Sequence, residues 1–380
     1  MKNGIIEVDE SGTITALYES PASSHFRDTE FFEGIIIPGF INAHCHLELS
    51  HLKDRIKEKQ GLSLFIGQIN KLRVTEEREI IQAAIDADRE MFREGIVAAG
   101  DISNTSHTID IKKRSSIEWL TFAETFGFHP SRANQAMETA LSIHSQFKAA
   151  NLSVSVVPHS PYSVSNELFR KISELEGREC SIITMHNQES MEENRFFLSG
   201  DGPILEHITR NLGLDASHWH PSGKSSLETV LPKLPVTLPL LLVHNTFSTL
   251  QDLRFLKEFR GDLPTWLVLC PNSNLFIGDQ LPPVQLFRSE KMQICLGTDS
   301  LASNTGLSVF SEIKTLHNHF PEIPLEELFT WACLNGAKAL GLDDRYGSLE
   351  VGKKPGILLI TATDLKTGAL TPESEVRRLI

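Results

Sequence analysis

The stretch GIIIPGFINAHCHLELS (residues 34–50) joins an apolar run directly to two histidines that are two positions apart. The apolar runs on either side of its Pro-Gly dipeptide are short and rich in β-branched residues, which predicts buried strands and not a helix. Side chains alternate between the two faces of a strand, so His44 and His46 point the same way while Cys45 points to the opposite face. The pair can therefore approach one metal ion.

Two other H-x-H triplets occur among the 15 histidines of the chain. His317 and His319 lie in a segment with helical spacing of its apolar residues, where positions two apart are separated by about 200° around the axis. His218 and His220 lie among Ser, Pro and Gly in a polar stretch that predicts a surface loop. Neither of these two pairs favours binding of one metal ion as His44 and His46 do.

The composition favours an enzyme that acts on small molecules. A formal net charge of -13 over 380 residues argues against nucleic acid or an anionic membrane surface, because both need clustered Lys and Arg. The five cysteines are scattered and form no C-x-x-C pair, which indicates reduced thiols and a cytoplasmic location. No apolar run approaches the length of about 20 residues needed to span a bilayer, and no export signal is evident. A homodimer is left open.

Strand-like and helical segments alternate along most of the chain, which predicts an α/β fold with parallel strands. Eight strands are expected, the number of a (β/α)8 TIM-type barrel, and the first of them ends at Ala43. The other seven are 95–101, 117–125, 152–158, 180–186, 238–244, 265–270 and 292–297. Helices are expected at 62–72, 76–92, 131–150, 165–176, 249–259 and 307–320.

The two ends of the chain predict a small appendage beside the barrel. Short β-type segments occur at 4–8, 13–18 and 31–37, and again at 346–351 and 356–361. We expect them to pair as a small β-sandwich of residues 1–37 plus 341–380, with the catalytic barrel over 38–340.

Polar side chains follow several of the predicted barrel strands. The carboxyl ends of barrel strands form one rim, where catalytic groups converge. The residues at these ends are His44 and His46, Asp101, Glu124, His159, His186 with Glu189, His244, Asn272 with Asn274, and Asp299. Polarity of loops alone would explain one or two of them, but not histidines after four strands and an aspartate after the last.

Four of these residues make a metal-binding set, namely His44, His46, His186 and Asp299. Three imidazoles and one carboxylate with one exchangeable position suit a catalytic divalent ion, with zinc expected and iron as the alternative. Water bound to such an ion has its pKa lowered from about 15.7 to about 7, so hydroxide is available at neutral pH. Hydrolysis is the chemistry that follows.

The whole chain resembles the amidohydrolase superfamily, in the branch that contains cytosine, guanine and S-adenosylhomocysteine deaminases and s-triazine chlorohydrolases. The motifs that carry the resemblance are PGFINAHCHLELS (38–50), PHSPYSVS (158–165), MHNQES (185–190), LLVHNTF (241–247), CPNSNLFIG (270–278), LGTDSLASN (296–304) and NGAKALGL with GSLEVGKKPG (335–356).

The resemblance implies a role for each motif residue. His44, His46, His186 and Asp299 would hold the ion, Glu189 would shuttle protons, and His244 would orient or polarise the reacting group. Asp299 would also take the proton of the attacking water. His159, Asn272 and Asn274 are expected to contact the substrate. Binuclear relatives use a carboxylated lysine at the end of strand four, but no lysine occurs between positions 148 and 171, so one ion is expected.

The predicted function is hydrolytic deamination of an amino-substituted N-heterocycle, a purine or an adenine-nucleoside derivative. HCHLELSHLK (residues 44–53) is similar to enzymes acting on derivatives such as aminodeoxyfutalosine. The alternatives are hydrolysis of a chloro- or alkylamino-triazine with the same ligands, and a non-catalytic paralogue that keeps the barrel for interaction. No ligand or proton shuttle is missing from the sequence, which disfavours the last.

Overall fold

The structure is a computed structural model that describes residues 4–19, 29–363 and 369–380. Within them the strands are β1 (Ile5–Val8), β2 (Ile14–Tyr18), β3 (Ile35–Pro38), β4 (Phe40–Cys45), β5 (Ile96–Ser103), β6 (Glu118–Thr125), β7 (Ser153–Pro158), β8 (Ile183–Asn187), β9 (Leu240–His244), β10 (Thr265–Leu269), β11 (Gln293–Leu296), β12 (Ile357–Thr361) and β13 (Glu375–Arg378).

The α-helices of the described residues are α1 (Leu62–Leu72), α2 (Glu77–Arg93), α3 (Ile109–Arg114), α4 (Ala133–Ala149), α5 (Asn166–Ser173), α6 (Met191–Ser199), α7 (Pro203–Glu206), α8 (Ser226–Val230), α9 (Leu250–Arg260), α10 (Pro271–Gly278), α11 (Val284–Ser289), α12 (Val309–His319), α13 (Leu325–Thr330) and α14 (Gly336–Ala339). Each of the six helices expected from the sequence is present.

The eight strands expected from the sequence form two parallel sheets of four. One sheet has the order β4-β5-β6-β7 and the other the order β8-β9-β10-β11. Helices lie between most successive strands. Parallel strands need such crossover connections, because the chain must return to the same edge of the sheet before the next strand begins. The carboxyl ends of the strands within each sheet therefore lie at one edge.

Hydrogen bonds join the two sheets where their end strands meet. The N–H groups of Thr298 and Asp299 donate to the carbonyl oxygen of His44 at 3.0 and 3.1 Å, which ties the segment after β11 to β4. At the other junction the N–H of His186 in β8 donates to the carbonyl oxygen of His159, just after β7, at 3.0 Å. These bonds connect the end of β4 to the segment after β11, and β8 to the end of β7.

The interior between the strands is apolar and closely filled. Ile41 and Ala43 of β4 are fully buried in a cluster that includes Val243 of β9 and Val268 of β10. A second and larger cluster packs the helices on the other faces of the strands, and Phe40 of β4 belongs to it. Strands buried on both faces are typical of parallel sheets covered by helices.

The two ends of the chain form antiparallel sheets. β1 pairs with β2, and β12 lies between β3 and β13, so the N-terminal and C-terminal segments pair as expected. The expected strand at 346–351 is wrong: Gly347 and Gly352 take positive φ values of 86° and 91°, which bend the chain there. Residues 1–3, 20–28 and 364–368 of the predicted appendage lie outside the described residues.

None of the helices among the described residues has the length and apolarity that crossing a membrane would require. The five cysteines are buried free thiols, as the scattered spacing predicts.

Candidate active site

The histidines of the H-x-H motif lie at the carboxyl end of β4. Their ring centroids are 4.9 Å apart, and the rings are nearly perpendicular at 82°. The β4–β5 register shifts between Asn42 and Cys45, and a bulge of this kind re-aims the side chains that follow it. Cys45 turns away, with its Sγ 3.6 Å from the carbonyl oxygen of Gly100. His44 and His46 thus share one direction, as the sequence predicts.

His186 from β8 and Asp299 from the segment after β11 complete a cluster of four. The Nε2 of His46 lies 3.3 Å from the Nε2 of His186 and 3.4 Å from Oδ1 of Asp299. The Nε2 of His44 lies 3.7 Å from the same oxygen. Ligand atoms about 2.0–2.2 Å from a tetrahedral ion lie about 3.3–3.6 Å from each other. The four groups are therefore spaced to hold one divalent ion.

The histidines of the cluster are in the protonation state that a bound cation needs. Nδ1 of His186 lies 2.8 Å from the carbonyl oxygen of His159 and donates to it, which leaves the Nε2 lone pair directed at the cluster. Neither ring nitrogen of His44 has a hydrogen-bond partner among the described residues. Burial lowers the pKa of His46, and it lowers the pKa of His186 to about 4. Both rings are therefore neutral, the form that binds metal.

Asp299 supplies the negative charge of the cluster. Burial alone would raise the pKa of its carboxyl, but the imidazoles of His44, His46 and His244 outweigh it, and the pKa lies well below its usual range. Asp299 has a left-handed backbone with φ of 57°, an uncommon conformation for a residue with a side chain.

Glu189 and His244 face each other beside the cluster. Oε1 of Glu189 lies 3.6 Å from Nε2 of His244, and both side chains are buried. The amide Nδ2 of Asn274 donates to Nδ1 of His244 at 3.0 Å, so the proton of the neutral ring is on Nε2. Burial, with the nearby charge of Asp299, raises the pKa of Glu189, while burial lowers the pKa of His244. Both shifts favour the neutral forms, which are a protonated Glu189 carboxyl and a His244 imidazole whose Nε2–H can donate.

The three residues predicted to contact the substrate have different positions. His159 lines the cavity beside the cluster, and burial lowers its pKa to about 4. Asn274 lies behind His244 and does not line the cavity. Asn272 also lies off the cavity, where its Nδ2 donates to Ser311 Oγ at 3.1 Å. Substrate contact by either asparagine stays a prediction.

A cavity of about 760 Å³ opens in front of the cluster, within the 300–1,000 Å³ of ordinary ligand pockets. Its inner end is polar and contains His46, His159, His186, Glu189, His244 and Asp299. Its outer walls are mostly apolar and come from α1, the β6–α4 connection and the 204–214 segment; they include Ile66, Ile69, Phe126, Phe128, Ile208 and Leu214. The cavity suits a molecule with one reactive polar end and a larger apolar part.

The sequence pattern predicts no role for four polar residues near the site. Glu124 lines the cavity, with Oε1 3.8 Å from Nδ1 of His186, and its position at the end of a predicted strand indicates that it faces the site. Ser273 and Ser303 donate to Oδ2 of Asp299, and both lie within the quoted motifs. Arg73 lines the cavity at the end of α1, where the sequence carries no motif.

A buried ion pair supports the chain that carries the H-x-H motif. Lys112 Nζ lies 2.6 Å from Oδ2 of Asp101, and both side chains are fully buried. Oδ1 of the same carboxylate accepts the N–H of Leu47 at 2.7 Å, directly after His46. Asp101 at the end of β5 therefore fixes the backbone beside the histidines.

Histidines at the cavity mouth form a separate group. The Nε2 of His129 lies 4.0 Å from Oδ2 of Asp215, and His218 stacks edge-on against His129. The Nδ1 of His129 accepts the N–H of Ser131 at 3.2 Å, and its Nε2 faces the carboxylate. At 4.0 Å the contact between His129 and Asp215 is too long for a hydrogen bond. Together with His218 of the loop expected at 218–220, these residues are close enough to form a second, more exposed group of potential metal ligands.

The comparisons with known proteins agree with this geometry. The model of the amidohydrolase family matches residues 35–374. The chain belongs to the amidohydrolase family. A curated relative, an adenosine deaminase of Helicobacter pylori, is 26% identical over 366 residues, which are 92% of this chain and 83% of the relative.

Two solved structures share the amidohydrolase fold. The aminofutalosine deaminase of Helicobacter pylori in complex with methylthio-coformycin has a TM-score of 0.82 at 21% identity, over 100% of this chain and 96% of that one. An adenosine deaminase from Xanthomonas campestris with bound zinc has a TM-score of 0.70 at 22% identity, over 97% of this chain and 82% of that one. This likeness implies a TIM-type barrel for the two parallel sheets. Family membership and the His44, His46, His186 and Asp299 cluster together support a divalent metal site.

Proposed function

We propose that the protein is a metal-dependent deaminase that hydrolyses the exocyclic amino group of an adenine-nucleoside derivative and releases ammonia. The observation that carries the proposal is the position of Glu189 and His244 directly beside the four-residue metal cluster. A ring carbon that bears an amino group needs an attacking hydroxide, a proton for the ring nitrogen and a proton for the leaving ammonia, and this arrangement offers a group for each.

His44, His46, His186 and Asp299 would hold the ion, with zinc expected and iron as the alternative. The ion would lower the pKa of a bound water, so that a nucleophile is available at neutral pH. The zinc in the Xanthomonas structure supports this choice. One ion per chain is expected, because β7 ends without a lysine that could bridge two.

Glu189 would move the protons. Because burial and the charge of Asp299 raise its pKa, its carboxyl can hold a proton and deliver it from Oε1 to the ring nitrogen of the substrate. It can then take a proton from the attacking water and pass it to the leaving amino group. His244 would donate its Nε2–H to the reacting centre, held in that tautomer by Asn274. Asp299 is the second group that can accept the proton of the water.

The cavity supports an adenine nucleoside with a substituent. The polar inner end would bind the purine ring at the cluster, with His159 beside it, and the apolar outer walls would bind the part that extends from the sugar. The adenosine deaminase of Helicobacter pylori supports the same substrate class. We also propose that residues 38–340 close into one barrel and that residues 1–37 and 341–380 form a β-sandwich. A cytoplasmic location and a homodimer stay predictions.

Ammonia release over a panel of compounds tests the proposal. The metal-loaded protein would be assayed with adenosine, 5′-deoxyadenosine, 5′-methylthioadenosine, guanine, cytosine and a chloro-triazine. We expect release from one or more adenine nucleosides at a kcat/KM at least about tenfold above that for guanine, cytosine or the triazine. A preference for the triazine would identify the alternative reaction, and no product from any compound would favour the non-catalytic paralogue.

A further inference from the structure

Two serines from different segments contact Oδ2 of Asp299, the carboxylate oxygen that is not directed at the histidines. The Oγ of Ser273, in the first turn of α10, lies 2.6 Å from Oδ2 of Asp299. The Oγ of Ser303, in the loop after β11, lies 2.7 Å from the same oxygen. Both serines are fully buried, so water does not compete for these contacts. The mechanism proposed above uses neither serine.

The hydrogens of this group can be placed by counting them. The two Oγ atoms are also 2.9 Å apart, so the two hydroxyl oxygens and Oδ2 form three short oxygen–oxygen contacts. Only two hydrogens, one from each hydroxyl, are available for these three contacts. Two oxygens 2.6 or 2.7 Å apart, one of them ionised, need a hydrogen between them. Both hydrogens must therefore point at Oδ2, and each serine donates to an ionised Asp299.

The other oxygen of the carboxylate is directed at the metal cluster. Oδ1 of Asp299 lies 3.4 Å from His46 Nε2 and 3.7 Å from His44 Nε2. The backbone of Asp299 is fixed as well, because its N–H donates to the carbonyl oxygen of His44 at 3.1 Å. With its backbone and Oδ2 both held, the carboxylate can turn only by breaking two charge-assisted hydrogen bonds.

A buried glutamate on α12 sets the distance between the two serine-bearing segments. Oε2 of Glu312 accepts the N–H of Asn272 at 2.8 Å, and Oε1 accepts Nδ2 of Asn304 at 2.8 Å. Asn272 directly precedes Ser273, and Asn304 directly follows Ser303. One fully buried carboxylate therefore connects the segments that hold Asp299.

We propose that Ser273 and Ser303 are positioning residues that make Asp299 a one-oxygen ligand and so keep a coordination position open for water. A carboxylate can bind a metal through one or both oxygens, and binding through both would occupy the position that a catalytic site leaves open. The two serines engage Oδ2 and prevent this. The inference rests on the metal site of the proposed function and adds the means by which its open position is kept.

The test uses the full chain loaded with Co²⁺, whose visible absorption weakens as coordination number rises. We expect Ser273→Ala/Ser303→Ala to bind one Co²⁺ per chain but with several-fold weaker visible absorption than the parent. Its kcat should fall about 10- to 100-fold, the usual cost of losing the partners of a metal ligand, with a smaller change in KM. The single variants should show smaller changes in the same direction, and they serve as the test if the double variant does not fold.

The matched control is Ser155→Ala, another fully buried serine, whose Oγ donates to the carbonyl oxygen of Ile182 at 2.8 Å. It should lose stability but keep the parent's Co²⁺ spectrum. Folded serine variants with the parent's spectrum and Co²⁺ affinity would overturn the inference. The spectral change in a protein that deaminates no compound would support the positioning role and reject the proposed function. A parent that binds no Co²⁺ would reject both.

Discussion

Replacing Glu189 by Gln should abolish most turnover while leaving the metal site intact. The side chain is 8% exposed and its Oε1 lies 3.6 Å from His244 Nε2, so it is beside the cluster without being one of the expected ligands. Gln is nearly the same shape but cannot carry the proton. A positioned acid or base contributes about 10²- to 10⁴-fold, and this one serves more than one step, so we expect a loss of about 10⁴-fold or more. That is about 5 kcal/mol or more in the activation free energy.

The assay is turnover per bound metal, with Glu192→Gln as the control. Glu192 lies three residues further along the chain, in the first turn of α6, and its Oε2 accepts the N–H of Ser63 at 3.0 Å, away from the cluster. The control should keep turnover within a few-fold of the parent. If Glu189→Gln stays within about tenfold of the parent, the proton shuttle is another residue and the proposed mechanism is wrong. Lower stability with near-normal turnover would instead indicate a structural role.

Two further substitutions test the metal cluster and its support. His186→Ala should lose both metal and activity in elemental analysis and ammonia release, while His220→Ala, in the exposed loop, should lose neither; equal metal loss in both would show that the wrong histidines are assigned. Lys112→Met should lower the free energy of unfolding by about 3–5 kcal/mol in urea titration, because it leaves the buried Asp101 carboxylate unpaired. The neighbouring exposed Lys113→Met should change it by less than about 0.5 kcal/mol, and equal losses would refute the ion-pair argument.

Much of the fold is predictable because the strands and helices have strong local patterns. The helix expected at 62–72 is α1 with the same bounds, and the strand expected at 152–158 is β7, Ser153–Pro158. Polar residues at the ends of apolar strands located most of the site, since parallel strands bring those ends to one edge.

The remainder depends on contacts that sequence spacing does not contain. The sequence predicts that Asn272 and Asn274 both contact the substrate, but Pro271 begins α10, where positions two apart lie about 200° around the axis. One side chain therefore reaches Ser311 and the other reaches His244. The contacts of Ser273 and Ser303 with Asp299 are equally absent from the sequence pattern. Ser273 is 26 residues from Asp299 in the chain, and the four-residue spacing of Ser303 does not show that its hydroxyl turns back onto the carboxylate.

The most direct test of the central claim is ammonia release from adenine nucleosides by the chelator-treated protein as Zn²⁺ is added back. The geometry of one ion among His44, His46, His186 and Asp299 predicts no turnover without metal, then a linear return that reaches its maximum at one Zn²⁺ per chain. Full turnover in the chelated protein, a maximum at two ions per chain, or no ammonia at any Zn²⁺ level would contradict it.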